Sequence, residues 1–106
     1  MIIKSLQAKT VEMFEGVRRK TLAVGEKMML VEFTFRKDSI IPTHTHPNEQ
    51  VGYVAKGKIK LKIGEKEHQL GTGDSYYIPP NIEHGATLIE ESIIIDVFSP
   101  PREDYK

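Results

Sequence analysis

The chain has 106 residues, and fifteen Lys and Arg balance fifteen Asp and Glu, so its formal charge is zero. With no basic excess to hold a phosphate backbone, nucleic acid is not an expected partner. Hydrophobic residues at 39% and charged residues at 28% fit one globular domain over residues 1–106 and exclude a disordered chain, while the absence of Cys excludes a disulfide scaffold and a thiolate metal site.

Taken in chain order, Met1-Ile2-Ile3-Lys4 is too short an apolar start for a signal peptide. A helix has room only in the first fifteen residues, and there Leu6, Val11, Met13 and Phe14 are poorly spaced for one. Met28-Met29-Leu30-Val31 is the longest aliphatic run, far below a membrane span. A cytoplasmic protein with no membrane partner is expected.

From Leu30 to Phe35 the period is two, with Val31, Phe33 and Phe35 on one side. Lys58 to Ile63 alternates without a break, placing Ile59, Leu61 and Ile63 opposite three lysines. Ile93 to Phe98 is a β-branched run that suits a strand buried on both faces. Gly64-Glu65 and Glu90-Glu91-Ser92 read as hairpin connections. Short strands punctuated by eight Gly and six Pro predict an all-β sandwich or barrel.

Of four histidines, His44 and His46 lie two apart. On a strand that spacing puts both imidazoles on one face, where they can converge on one ion. Gln50 follows the expected Pro47-Asn48 turn, and a returning strand could bring its amide oxygen to the same point. His84 comes much later, after Ile78-Pro79-Pro80-Asn81-Ile82-Glu83. His68, among charged neighbours, reads as a surface residue, and Glu49 is out of register with Gln50.

These residues spell a known pattern. His44, His46, Gln50 and Gly57 resemble the first cupin motif, with Gln in place of the usual Glu. Gly73, Pro79, Asn81 and His84 resemble the second, with Asn in place of its second Gly and Leu88 where its final Asn would fall. The resemblance covers most of residues 38–88 and implies a small double-stranded β-helix, the jelly-roll barrel of cupins. It also implies one divalent transition metal, Zn, Ni, Fe, Co or Mn, on His44, His46, Gln50 and His84. The closing stretch from Asp96 to Tyr105 is similar to that of the pectin-degradation (KdgF-type) cupins, which open 4,5-unsaturated uronates to linear keto acids.

That resemblance gives Asp96, Phe98 and Arg102 roles in catalysis. Asp96 interrupts an apolar run, which is costly unless it is paired or faces a cavity, and becomes a candidate base or acid. Phe98 has the same parity. Arg102, just past Pro100-Pro101, could clamp the carboxylate of a small anionic sugar. Tyr76 and Tyr77 point to opposite faces, so one at most lines a pocket. A neutral Gln would leave the ion its full charge and favour an anionic ligand. A cupin dioxygenase with a three-His Fe(II) site and a non-catalytic sugar-acid-binding module remain alternatives. A homodimer is expected, because an exposed edge on so small a barrel needs covering.

Overall fold

Alternation of apolar and polar residues makes strands along nearly the whole chain. The computed structural model describes residues 1–106 and contains ten of them. These are β1 (Thr10–Phe14), β2 (Val17–Val24), β3 (Met29–Phe35), β4 (Ile40–His44), β5 (Glu49–Lys56), β6 (Lys58–Ile63), β7 (Lys66–Gly71), β8 (Ser75–Ile78), β9 (His84–Leu88) and β10 (Ser92–Ser99). One sheet runs β1-β2-β3-β10-β5-β8 and the other β4-β9-β6-β7. Every pairing is antiparallel. The fold is all-β, and the remaining regular structure is two single 3₁₀ turns, Ser5–Gln7 and Glu103–Tyr105. No helix is long and apolar enough to cross a membrane.

The inward faces of the two sheets supply the core. Val31, Phe33 and Phe35 of β3, Ile59 and Leu61 of β6, and Ile94 and Phe98 of β10 are buried together. At roughly 1.5–3 kcal/mol per fully buried large apolar side chain, this alternation is what closes the barrel. Phe33 stacks on Phe35 and meets the ring of Tyr105 edge-on, each pair with centroids 6.0 Å apart. The C-terminal turn is thereby packed into one end of the barrel.

Three expectations are corrected. His46 lies outside β4, which ends at His44, because Pro47 turns the chain back towards β5. Glu90-Glu91 is a crossover rather than a hairpin: β9 pairs with β4 and β6, whereas β10 pairs with β3 and β5. Finally, β10 is fully buried on one face only, with Ile93, Ile95 and Val97 half-buried on the outside of the sheet. That outer face has no layer packed over it, so its β-branched residues keep part of their surface in solvent.

Candidate metal and substrate site

Two cross-strand rows place the polar groups inside the barrel. In the first, Gln50 of β5 sits between Phe98 of β10 and Ile78 of β8. In the second, Gly52 of β5 sits between Asp96 of β10 and Tyr76 of β8. Residues two apart on a strand share a face, so both rows point inward. From the other sheet, His44 of β4 is the register partner of His84 of β9.

The loop that carries His46 is held by backbone bonds. The Asn81 amide donates to the His46 carbonyl at 2.8 Å. Asn81 has φ 63°, a left-handed conformation that Asn tolerates better than most residues, which explains its standing where the motif has Gly. Asn48 Nδ2 donates to the Pro100 carbonyl at 2.6 Å and ties the same loop to the end of β10.

The three imidazoles converge. Each offers a ring nitrogen, and these atoms lie within 4.8 Å of one another. In each ring Nδ1 faces a backbone carbonyl: Pro42 for His44 at 2.9 Å, Asn48 for His46 at 2.9 Å, and Ile82 for His84 at 2.8 Å. A carbonyl only accepts, so Nδ1 carries the proton and Nε2 is left as a lone pair. Burial lowers the pKa of His84 to about 4 and, helped by the Arg102 charge, lowers that of His46. Both rings are therefore neutral at pH 7.

Two contacts test whether a cation fits. His84 Nε2 is buried with no hydrogen-bond partner. His46 Nε2 faces Gln50 Oε1 at 3.0 Å, and with the proton on Nδ1 both atoms are acceptors. An ion between them satisfies both, along with the orphaned nitrogen of His84. Three imidazoles and one amide oxygen form a donor set for a divalent transition metal, and the residues present fit one.

Beside this cluster Asp96 is buried, 3% exposed. Burial raises its pKa to about 6, and hydrogen bonds from Tyr76 and Gln50 hold the rise in check. The Gln50 amide therefore serves both groups, its oxygen facing His46 and its amide favouring the Asp96 carboxylate. Tyr76 OH donates to Asp96 Oδ1 at 2.7 Å.

His44, Gln50, His84, Asp96, Phe98 and Arg102 all line one cavity of about 390 Å³. His46 packs behind this lining, its ring edge-on to Phe98 with centroids 5.6 Å apart. Arg102 forms an ion pair with Asp104 at 2.9 Å. Tyr77 points outward to Glu49, and Glu49 and His68 are exposed, away from the site. Of the Tyr76 and Tyr77 pair it is Tyr76 that lines the cavity, joined there by Asp104 and Tyr105. Nothing local marked Asp104 or Tyr105.

The comparisons with known proteins agree with this architecture. The cupin domain model matches residues 31–98. Pectin degradation protein KdgF of Dickeya dadantii is 36% identical over 96 residues, covering 89% of this chain and 87% of that protein. Two solved structures superpose over nearly the whole chain. An RmlC-like cupin from Shewanella frigidimarina gives a TM-score of 0.94 at 31% identity, covering 99% of this chain and 95% of that one. KdgF from Halomonas sp. gives 0.93 at 28% identity, covering 100% and 98%. The chain belongs to the cupin family, in the group that holds the pectin degradation protein KdgF.

Proposed function

We propose that this protein opens the ring of 4,5-unsaturated uronates to give linear 5-keto-4-deoxyuronates. The observation that carries the reading is a buried carboxylate, Asp96, sharing one cavity with three converging imidazoles and Arg102. The relationship to a pectin degradation protein supports the choice of substrate class.

In this reading His44, His46, Gln50 and His84 hold one divalent metal. Bound there, the ion would supply Lewis-acid stabilisation of the negative charge that develops on the sugar. Asp96 takes the proton from the O1 hydroxyl of the hemiacetal as the C1–O1 double bond forms. The bond from C1 to the ring oxygen breaks, and its electron pair stays on that oxygen as an enolate. A proton returned to C4 completes the ketone at C5. The reaction is an isomerisation, so no electron acceptor is consumed. Arg102 holds the substrate carboxylate, and Phe98, packed on His46 and 5.4 Å beneath the Arg102 guanidinium carbon, gives the sugar a flat apolar wall.

The direct test follows the ultraviolet absorbance of an unsaturated uronate monomer. Metal-loaded protein should remove the chromophore faster than the spontaneous reaction, without taking up oxygen. Rates equal to the uncatalysed reaction, with each of the five candidate metals, would refute the reading.

A homodimer belongs to the same proposal. Val51, Tyr53 and Tyr77 each leave about half their surface exposed on the outer face of the six-stranded sheet, beside half-buried Ile95 and Val97. A second copy would cover this apolar patch. Analytical ultracentrifugation checks it, with Tyr53→Lys expected to give monomers.

A further inference from the structure

Arg102 is held from three sides. Its Nε donates to Asp104 Oδ1 at 3.2 Å and its Nη2 to Asp104 Oδ2 at 2.9 Å, a side-on bidentate pair. Its guanidinium carbon lies 4.0 Å from the centroid of Tyr105 and 5.4 Å from that of Phe98. Tyr105 is itself fixed. Its carbonyl accepts hydrogen bonds from Arg19 Nη1 at 3.0 Å and from the Thr21 hydroxyl, both on β2. The Arg19 guanidinium also lies over the Tyr105 ring, 4.6 Å from the centroid.

A guanidinium has five N–H donors in a rigid plane. Asp104 uses two of them on one edge. Three remain, two on Nη1 and one on Nη2, and the Nη1–Nη2 edge is a complete end-on fork for a second carboxylate. Arg102, Asp104 and Tyr105 all line the cavity that contains the imidazoles. The Arg102 side chain is 13% exposed and that of Asp104 is 61% exposed, so the carboxylate bracing the arginine stands at the rim.

We propose that Asp104 and Tyr105 are positioning residues that turn Arg102 so that its Nη1–Nη2 edge seats the substrate carboxylate. The inference rests on the uronate reading and deepens it. The substrate binds end-on while Asp104 stays bound side-on, and the stacking on Tyr105 sets the plane of the fork. Pre-orientation lowers the ordering cost of binding, since a free arginine would lose several rotatable bonds on meeting its ligand. The opposite role for Asp104, an internal carboxylate that the substrate must displace, makes the opposite prediction.

The test uses metal-loaded wild type, Asp104→Asn and Tyr105→Leu. Two quantities are read, KM and kcat for an unsaturated uronate and the calorimetric Kd for D-galacturonate. Asp104→Asn alters an exposed side chain and should fold normally. It should raise KM and Kd about 5- to 20-fold while kcat changes less than about threefold. Tyr105→Leu should move both in the same direction, in preparations whose circular dichroism matches wild type. Lower or unchanged KM and Kd in Asp104→Asn, with wild type active, would overturn the positioning role and leave ring opening intact. Galacturonate binding that depends on Asp104 in a wild type without turnover would sustain the clamp and remove the ring-opening reading. A wild type that neither binds galacturonate nor turns over uronates would remove both.

Discussion

The Tyr76 phenol reaches Asp96 by crossing directly over Gly52. The three residues are partners in one cross-strand row, and the hydroxyl donates to Asp96 Oδ1 at 2.7 Å. A Cβ on Gly52 would collide with the phenol end of Tyr76 and with the Asp96 carboxylate. The missing side chain is therefore what allows the bond. Burial raises the pKa of Tyr76 well above its ordinary value, so it stays a donor across the working pH range.

Gly52→Ala should accordingly displace the phenol and lower the ring-opening rate by about tenfold or more, since about 1.4 kcal/mol of lost positioning is a factor of ten. Tyr76→Phe should do the same while also losing about 1.5–3 kcal/mol of stability, the usual contribution of a hydrogen bond to a charged group. Metal content by elemental analysis should be unchanged in both, which separates this effect from loss of the ion.

Asp96→Asn keeps an acceptor for Tyr76 and should fold and hold metal as wild type does. Steady-state assays should show kcat lower by about 10²–10⁴, the range for removing a general base. Arg102→Ala should raise KM more than it lowers kcat, because a carboxylate clamp acts alike on ground and transition states.

Untagged protein should contain about one equivalent of divalent metal, and His84→Ala should lose most of it because one of only four donors is gone. Stoichiometric metal retained by the double variant lacking His44 and His46 would contradict the site.

Gln50→Glu should keep the metal and bind anionic sugars more weakly, by about 1 kcal/mol or more in a partly buried site. The structure adds a second consequence. A carboxylate at position 50 would replace the amide donor now facing Asp96 with a like charge, so the acid limb of the pH–rate profile should move upward in this variant.

The pH dependence of stability can be read with metal removed. Asp96 has its folded pKa raised to about 6, so between its ordinary 3.8 and 6 the native state binds more protons than the unfolded chain. Its contribution to stability falls as pH rises through that window. His84 has its folded pKa lowered to about 4, so between 4 and its ordinary 6.5 the native state binds fewer protons. Its contribution rises with pH over nearly the same window. The two oppose each other in wild type. Asp96→Asn removes the falling part, and thermal melts of its metal-free form should show stability climbing from pH 4 to 6.5 by about 2 kcal/mol more than wild type, the contribution of the buried carboxyl over that window.

The sequence by itself marked three of the ten strands, β3, β6 and β10, and offered His44, His46, Gln50, His84 and Asp96 as candidates for the barrel interior. Strict alternation in Lys58–Ile63 and Leu30–Phe35 fixes which side chains face inward, because a strand offers only two faces. The same parity puts Asp96 with Phe98 and separates Tyr76 from Tyr77. Tertiary structure decided what those residues meet. His46 reaches the cluster from a loop rather than a strand, since Pro47 and the Asn81 bond set its path. Glu90-Glu91 joins two sheets because β9 and β10 find partners far away in sequence. Gly52 lies 24 residues from Tyr76 and 44 from Asp96, so no local pattern could show that its lack of a Cβ makes room for their hydrogen bond. Arg102 is braced by Asp104, two residues away, yet the Tyr105 ring beneath it is anchored by Arg19 and Thr21 more than 80 residues earlier. Periodicity is a property of neighbours along the chain, whereas a site is made where distant strands are brought into register.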